Sequence, residues 1–469
     1  MVLDVARKVV DEIDRTQVQF LDVRTYRNET LQLSVRKGDA NQIANNQMNG
    51  VAIRALVSGA WGFASVASEN LSEIREARDA AIKMARGLAS KSKANAEVTQ
   101  DAVFEARNEF TPDDDPKNYS FEEKMELAQK VETILREHDP SIINSNGIYS
   151  EMVQREEVAN TNGTNVVTDY AALRLSGFAT SRKGDIIQNV SDSIATSGGM
   201  KAIVDWNIDE HATNLGKRAV GLLDAVNSPS GKMNILLDPS IVGVYIHEAF
   251  GHASEGDAVL DNRSVLTNQL GNTMAIPEVS VIDDPTLPGL RGSFKYDSEG
   301  TPTKRRQIIK DGVLVGYLND LRTATMLDQE INGCGRAMDF RHTVMPRMGN
   351  TYIEQGDKKI EELLEEIGNG VYLQYSYGGY VNPATGEFFF SSQGGYLVED
   401  GQLGKPIRNS GMSGMTLDVL KNTIGVGNDK DTDAFPGTCG KPSLTGPQML
   451  PVTGGGPHIA AKDINIGGR

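Results

Sequence analysis

The sequence is poor in cysteine, in basic residues and in long apolar runs. Only two cysteines occur among 469 residues, which excludes a disulfide framework and leaves each thiol to be explained separately. Acidic residues outnumber basic ones by 63 to 47, and the formal net charge is −16. A chain of this charge gains little from approaching a phosphate backbone, which is bound mainly by lysine and arginine. Nucleic acid is therefore not an expected partner.

No run of the sequence approaches the roughly 18 to 20 apolar residues that a membrane-spanning helix requires. The opening MVLDVARKVVDEIDR reads as an amphipathic helix and lacks the basic, apolar and small-residue blocks of a signal peptide. These features predict no membrane partner and a cytoplasmic location. The length predicts two or three domains with a sizeable core.

The first half contains a repeated order of helical and strand patterns. A helix at about 2–15 precedes several short alternating runs, and LSEIREARDAAIKMARGLA reads as the next helix. After a polar connection the order returns, from FEEKMELAQKVETILREH through strand-like runs to a helix at about 208–226. We therefore predict an N-terminal α+β domain, residues 1–226, built from a duplicated unit of helix, antiparallel strands and helix.

The second half, residues 227–469, is rich in glycine and in short strand patterns. Its helical segments are one that begins near Ser240 and one at about 358–370. Strand candidates are VSVIDDP, QIIKDGVLVGYLND, GVYLQYSYGGYV, EFFFSSQGGYLVEDGQ and KDINIGGR. The whole chain is predicted to be α+β, with mostly antiparallel sheet and a β-rich C-terminal domain.

The segment IHEAFGHASEGD, residues 246–257, contains a candidate metal motif. His247 and His252 are five residues apart and diverge by ~140° on a regular helix, so binding one ion requires a π-type turn or a helix end between them. Glu248 is placed to take a proton from a metal-activated water. The alternative is that the two histidines are unrelated polar residues at the end of a buried helix.

A third ligand is needed for a catalytic zinc site. Cys439, in AFPGTCGKPS, is the strongest candidate because nearby glycines allow the backbone to present a thiolate inward. Cys334, in INGCGRA, has similar neighbours and competes with it. Glu255, Asp257 and His342 remain possible ligands or hydrogen-bond partners of the ligands.

Candidate substrate-binding residues come from an arginine-rich segment and from one strand. In RAMDFRHTVMPRM the arginines could hold a peptide carboxylate, or could pair with the chain's many acids. GVYLQYSYGGYV alternates along its length, and an extended peptide could add to its edge, although a half-buried strand also explains the pattern. The residues concerned are Arg336, Arg341, Arg347, Tyr375 and Tyr377.

The glycine-rich stretches VTGGGPHIAAKD and IGVGND do not predict a nucleotide site. They lack the order strand, glycines, helix, and no G-x-x-x-x-G-K-[ST] occurs. His458, beside the first stretch, is predicted to be structural or near the mouth of the site. No G-x-S-x-G elbow is present either.

Several ordered blocks together resemble the TldD/PmbA family of peptidases, once described as modulators of DNA gyrase. The blocks are GVAIRALVSGAWGFA, LLDPSIVGVYIHEAFGHASEGD, IDDPTLPGLRGSFKYDSEGTPT, QIIKDGVLVGYLND, MPRMGNTYI, GGYLVEDGQ and FPGTCGK. The resemblance covers nearly the whole chain. It implies that the five-residue spacing is the family's own H-E-x-x-x-H arrangement.

The resemblance also implies roles for the motif residues. It implies zinc held by His247, His252 and Cys439, with Glu248 as general base, and it favours Cys439 over Cys334. The family has a TldD branch with the metal motif and a metal-free PmbA (TldE) branch, and the four intact residues place this chain with TldD. The implied activity is hydrolysis of unfolded or leader-type peptides by a dimer that encloses a chamber.

Two other functional hypotheses remain. One is a non-catalytic subunit that stabilises a paralogue, against which the intact motif counts. The other is a structural zinc site in a binding protein, which would need a fourth protein ligand such as His342 or Asp257. The natural peptide, and the choice between a homodimer and a heteromer with a metal-free paralogue, are not encoded in any motif.

Overall fold

The computed structural model describes residues 5–91, 95–99, 103–109 and 114–468. Within these ranges the fold is α+β, as predicted, and strands outweigh helices. None of the helices in the described part of the chain is both long enough and apolar enough to cross a membrane.

The N-terminal half forms one seven-stranded sheet with helices on one face. Its helices are α1 Val5–Asp11, α2 Leu71–Ala89, α3 Phe121–His138, α4 Met200–Val204 and α5 Ile208–Gly221, with a 3₁₀ turn at Pro116–Asn118. Its strands are β1 Phe20–Arg36, β2 Asp39–Val57, β3 Ala60–Val66, β4 Glu105–Asn108, β5 Ile142–Asn160, β6 Asn165–Lys183 and β7 Ile186–Thr196. The spatial order is β3-β2-β1-β5-β6-β4, and β7 also pairs with β6.

The order of elements along the N-terminal half repeats. The first unit runs α1, β1, β2, β3, α2, and the second runs α3, β5, β6, β7 and then α5. The first strands of the two units pair antiparallel, from Asp22 with Asn160 to Arg36 with Asn146, so the two units share one sheet.

The structure corrects the sequence prediction in three details. The short alternating runs merge into strands of up to 19 residues, because the hairpin of β1 and β2 continues beyond the helices with its far end exposed. The helix predicted at 208–226 ends at Gly221, and the one predicted at 2–15 is Val5–Asp11, its first residues lying outside the described ranges. The polar connection contains β4, which pairs parallel to β6.

Two large sheets and one two-stranded ribbon make up the described C-terminal half. The helices are α6 Pro239–Ile246, α7 Gly256–Leu260, α8 Leu321–Met326, α9 Ile360–Ile367 and α10 Thr416–Lys421. The strands are β8 Val226–Asn227, β9 Gly231–Leu237, β10 Val281–Asp283, β11 Arg306–Lys310, β12 Val313–Leu314, β13 Gly335–Arg336, β14 Met345–Pro346, β15 Asn350–Ile353, β16 Gly370–Val381, β17 Glu387–Glu399, β18 Gln402–Arg408, β19 Ser410–Met415, β20 Thr423–Val426, β21 Asp431–Lys441, β22 Gln448–Gly456 and β23 Ile459–Gly468.

The larger of these sheets has the order β16-β9-β23-β19-β17-β18-β8, with β20 against β23. Pairing of β16 with β17 closes five of its strands into a ring. The second sheet has the order β12-β11-β10-β15-β22-β21, and β13 and β14 form a separate ribbon. The predicted domain boundary at 226/227 falls within the short strand β8, which belongs to the larger sheet.

Helix α6 lies between the two sheets and is buried almost throughout. On one side, the ring of Tyr245 meets those of Phe388 and Phe390 edge-on, at centroid distances of 6.1 and 6.2 Å. On the other, a Cβ added to Gly243 would lie 2.6 Å from the carbonyl carbon of Gly454 in β22. Glycine at positions 243 and 454 therefore allows α6 to approach β22 this closely.

Helix α3 makes a similarly close approach to strand β5 of the N-terminal sheet, at Gly147. A Cβ at Gly147 would lie 1.9 Å from the backbone oxygen of Ala128, so Gly147→Ala must push α3 away from β5. We expect a loss of at least about 2 kcal/mol in the free energy of unfolding, measured by urea denaturation. Gly87→Ala is the matched control, because Gly87 is exposed in α2 with open space around it. It should stabilise the chain slightly, and equal losses in both variants would contradict the packing argument.

Candidate metal centre

The end of α6 supplies the change of helical geometry that the histidine spacing requires. The helix starts at Pro239, where the side chain of Asp238 accepts a hydrogen bond from the amide of Ile241 at 2.9 Å. Residues His247–Gly251 then form a π turn, closed by the amide of His252 donating to the carbonyl of His247. A turn of five residues returns the chain to the same side, so both rings face one point. Their centroids are 5.3 Å apart.

Cys439 completes a group of three ligand types. It lies on β21, and its Sγ is 3.2 Å from Nε2 of His252. One ligand atom each from His247, His252 and Cys439 all lie within 4.8 Å of one another, and all three residues are buried. Neither ring nitrogen of His247 makes a hydrogen bond with the described residues, although the ring is close to the thiol. Two imidazoles and a thiol around one point match the preferences of zinc.

The buried carboxylate of Glu255 orients His252. Its Oε2 is 3.0 Å from Nδ1 of His252 and 2.9 Å from Nζ of Lys441, and its Oε1 is 3.6 Å from Nε of Arg347. Burial opposes the charged form, but Lys441, His252 and Arg347 outweigh it and lower the pKa of Glu255 to about 2. An ionised Glu255 accepts a hydrogen bond from Nδ1–H of His252, which turns the Nε2 side of the ring towards Cys439.

The same charges favour a thiolate at Cys439. Burial alone would raise the pKa of the thiol, but His252 and Arg347 bring it well below its usual range. Burial would likewise lower the pKa of His252, whereas Cys439 and Glu255 raise it well above its usual range. A thiolate is the form that binds a metal, so the surroundings prepare the ligand before any ion arrives.

Glu248 is the member of the turn with access to solvent. Its side chain is 23% exposed, and one carboxylate oxygen is 4.0 Å from Nε2 of His252. Glu248 thus lies next to the group His247, His252 and Cys439 but is not one of its members. The side chain can therefore reach a water or substrate at the same point without occupying a ligand position.

The other candidate ligands lie outside the group of three. Cys334 is fully buried, which raises the pKa of its thiol well above the usual range. Asp257 is 2.7 Å from Lys441, and His342 pairs with Asp339 at 2.8 Å. His458 shares a hydrogen bond of 2.7 Å with the hydroxyl of Tyr372 in β16 and pairs with Asp429. These contacts join the loop of His458 to β16.

The three predicted substrate-binding arginines are not brought together. Arg336 donates from Nη1 to the carbonyls of Met348 and Pro451 and lines a pocket. Arg341 is half-exposed and pairs with Asp339 at 2.6 Å. Arg347 is fully buried and donates to the carbonyl of Cys439 at 2.8 Å, so it supports a ligand strand and has no free surface for a peptide.

Tyr375 and Tyr377 lie where β16 meets the N-terminal half. Tyr375 has φ +58° and its amide donates to Asp238 at 2.8 Å, which breaks the predicted strict alternation of β16. The guanidinium of Arg218, in α5, lies 3.8 Å from the centre of the Tyr375 ring. The hydroxyl of Tyr377 donates to the carbonyl of Asn189 in β7. Both tyrosines thus make contacts within the chain.

Sequence reasoning missed Lys441, and it also missed Arg174 of β6 and Arg291, which lie between the N-terminal sheet and β21. Lys441 follows the ligand cysteine by two residues, so the alternation of a strand could have placed both side chains on one face. The two arginines had no local signal, because their positions depend on how two sheets pack.

Family comparisons match nearly the whole chain. Three models of the PmbA/TldA metallopeptidases match in order, domain 1 over residues 21–85, the central domain over 114–223 and the C-terminal domain over 230–468. The chain belongs to the PmbA/TldD metallopeptidase family. The third match contains the π turn and Cys439.

Relatives in this family carry metalloprotease names. A metalloprotease of Methanothermobacter thermautotrophicus is 32% identical, over 96% of each chain. A zinc metalloprotease TldD homologue of Saccharolobus solfataricus is 27% identical, over 98% of this chain and 99% of its own. These names support a metallopeptidase, and the group His247, His252 and Cys439 is a fitting site for the metal they imply.

Solved structures with this fold include members of the family. A Thermotoga maritima protein described as a candidate modulator of DNA gyrase has a TM-score of 0.77 and 23% identity, over 96% of both chains. TldE of Thermococcus kodakarensis has a TM-score of 0.75 and 20% identity, over 100% of this chain and 99% of its own. At these identities the likeness establishes the fold alone.

The contacts of Glu255 give a prediction about metal affinity. Glu255→Gln removes the charge that holds His252 and Lys441, so we expect the affinity for zinc to fall by about 10- to 100-fold. The measurement is competition with a chromophoric chelator at constant pH. Glu278→Gln is the control, because Glu278 is exposed and remote in sequence from the ligand segments. An unchanged affinity in Glu255→Gln would show that the carboxylate does not orient the ligand.

Proposed function

We propose that the chain is a zinc-dependent peptidase of the H-E-x-x-x-H type that hydrolyses unfolded or leader-type peptides. The observation that carries the proposal is the convergence of His247, His252 and Cys439 on one point, with the accessible carboxylate of Glu248 beside it. In this proposal the three converging residues are the zinc ligands and Glu248 is the general base. The zinc metalloprotease name of the Saccharolobus relative supports the choice of metal.

Each residue of the site has a part in the proposed reaction. Zinc, when bound, supplies a Lewis acid and lowers the pKa of a coordinated water towards ~7. Glu248 takes the proton of the attacking water and then passes it to the leaving amine of the cleaved peptide bond. Glu255 holds His252 in the required tautomer, and Arg347 fixes the backbone of Cys439. Three protein ligands leave a position open for water or substrate, which is typical of catalytic and not of structural zinc.

The substrate and the assembly are also part of the proposal. Of the predicted substrate-binding residues, Arg336 keeps this role best, because its guanidinium lines an open pocket. Arg341, Tyr375 and Tyr377 remain in the proposal as substrate-binding residues because their side chains are partly exposed. Arg347 is buried and remains as a support of the strand that carries Cys439. We propose a dimer, either of two copies or with a metal-free paralogue of the PmbA/TldE type, which the fold shared with TldE supports.

Zinc content tests the ligand set directly. The purified wild-type chain should contain about one zinc per subunit, and Cys439→Ser should lose most of it, because a buried hydroxyl is a far poorer ligand than a thiolate. Cys334→Ser is the matched control and should keep its zinc. If neither the wild type nor the control binds zinc after it is supplied, the peptidase mechanism is wrong.

Glu248→Gln separates metal binding from catalysis. The variant should keep its zinc, since Glu248 is not among the converging ligands, and should lose hydrolysis of an unfolded, internally quenched peptide by at least about 100-fold in kcat. Both measurements use one preparation, so unfolding is visible as a loss of zinc. Full activity in Glu248→Gln would remove the glutamate from the mechanism.

A further inference from the structure

A pocket lies between the N-terminal sheet and the strands beside the candidate metal centre. It is open to solvent, has about 480 Å³ of empty space, and is lined on one side by β5 and β6. The lining residues of these two strands alternate, so they lie on the face opposite α3 and α5. On the other side it is lined by Arg336, Phe294, Leu450 and Pro451.

Two lining residues of the pocket, Leu450 and Pro451, lie on the strand that pairs with the strand of Cys439. Leu450 is the cross-strand partner of Cys439, and Pro451 follows it. Arg336 donates to the carbonyls of Pro451 and Met348 at 3.0 and 2.7 Å. Met348 in turn packs against Gly251 of the π turn. A peptide whose scissile bond lies at the metal therefore has neighbouring residues within reach of the pocket.

Three arginines, Arg174, Arg291 and Arg336, form what we call the arginine row. Arg336 lines the pocket, and the other two lie beyond its lining, connected to it through β6. Arg174 and Tyr170 lie on one face of β6, about 13 Å apart along the strand. The hydroxyl of Tyr170 donates to the carbonyl of Arg291 at 2.7 Å. The guanidinium of Arg291 donates to Leu173 of β6 and to Gly437, two residues before Cys439. The row thus follows β6 towards the ligand strand.

No member of the row has a carboxylate partner among the described residues. Arg174 donates to the hydroxyls of Ser176 and Ser193, whereas the partners of Arg291 and Arg336 are backbone carbonyls. Arg336 also lies 4.6 Å from the centre of the Phe294 ring. Burial lowers the pKa of both Arg174 and Arg336 to about 10, and Arg291 adds to the effect on Arg174. Each remains charged at neutral pH.

The two acids that line the pocket, Glu156 and Asp297, take their hydrogen bonds from groups outside the row. Glu156 accepts from Arg24 at 3.1 Å and from the hydroxyl of Ser298 at 3.2 Å. Asp297 accepts the amides of Glu299, Thr301 and Gly335, and burial raises its pKa to about 7. Burial raises the pKa of Glu156 and Arg336 opposes this rise at longer range, but none of the three arginines forms a direct ion pair with a described carboxylate, in a chain whose net charge is −16.

We propose that the arginine row binds carboxylates of the peptide substrate and makes the enzyme prefer acidic peptides. Guanidinium groups recognise carboxylates through paired, charge-assisted hydrogen bonds, which are strongest where water is excluded. Without such groups, a chain this acidic would repel an acidic peptide. The carboxylate comes from an aspartate or glutamate side chain or from the C-terminus of the peptide. The inference rests on the proposed function, because it takes the bound chain to be a substrate.

Peptide binding tests the proposal independently of cleavage. The protein is the full zinc-loaded chain carrying Glu248→Gln, which prevents turnover. The probes are four dye-labelled, unstructured peptides of about twelve alanine, serine and glycine residues, interspersed with glutamate or with glutamine, each with a free or an amidated C-terminus. We expect the glutamate or free-carboxylate peptides to bind at least about tenfold more tightly than the neutral amide. The pair that differs identifies the source of the carboxylate.

Variants of the row connect this preference to its residues. Arg336→Gln and Arg174→Gln should each remove most of the preference, whereas Arg336→Lys should keep part of it. Arg263→Gln is the matched control, because Arg263 is exposed and pairs only with Asp261 nearby in sequence. Arg174→Gln decides the matter if Arg336→Gln does not fold, since Arg174 donates only to two hydroxyls.

Two results would overturn the proposal. One is equal affinity for acidic and neutral peptides, and the other is a preference that folded row variants retain in full. A chain that binds zinc but cleaves nothing would leave these binding results readable, so failure of the peptidase mechanism and failure of the arginine row are distinguishable.

Discussion

The buried carboxylate of Glu255 connects the two parts of the chain that form the candidate metal centre. It holds His252, on the turn after α6, and Lys441, on the strand that carries Cys439. Arg347 lies against the same carboxylate and donates to the carbonyl of Cys439. Removing one partner from a buried ion pair costs about 3 to 5 kcal/mol, so the network keeps helix and strand in one relative position. The ligands are thus oriented by the fold itself.

Charge is distributed unevenly between the surface and the cleft. The chain as a whole is strongly acidic, whereas the arginine row lies between the N-terminal sheet and the ligand strand without carboxylate partners among the described residues. In the proposed function, such arginines would select acidic peptides by their chemistry as well as by their shape. In the same proposal, the N-terminal sheet takes part in substrate binding, since β6 supplies both Tyr170 and Arg174.

The order of helices and strands could be predicted from the sequence, because local periodicity encodes which face of each element is buried. The five-residue spacing of His247 and His252 required a π-type turn or a helix end between them, and the structure contains a π turn. Contacts that depend on packing between sheets were not readable. Arg347 resembled a substrate ligand but is buried under Cys439, and Arg174 gave no signal. The break in β16 at Tyr375 could not be predicted either. It is held by a hydrogen bond from the amide of Tyr375 to the side chain of Asp238, which precedes α6.

X-ray absorption at the zinc edge of the loaded full chain identifies the atoms that bind the metal. We expect one sulfur at about 2.3 Å, two imidazole nitrogens near 2.0 Å and one further light atom from water. The sulfur contribution should disappear in Cys439→Ser and persist in Cys334→Ser. Two sulfur ligands, or a shell closed by a fourth protein side chain, would contradict an open three-ligand site and leave the chain with structural zinc.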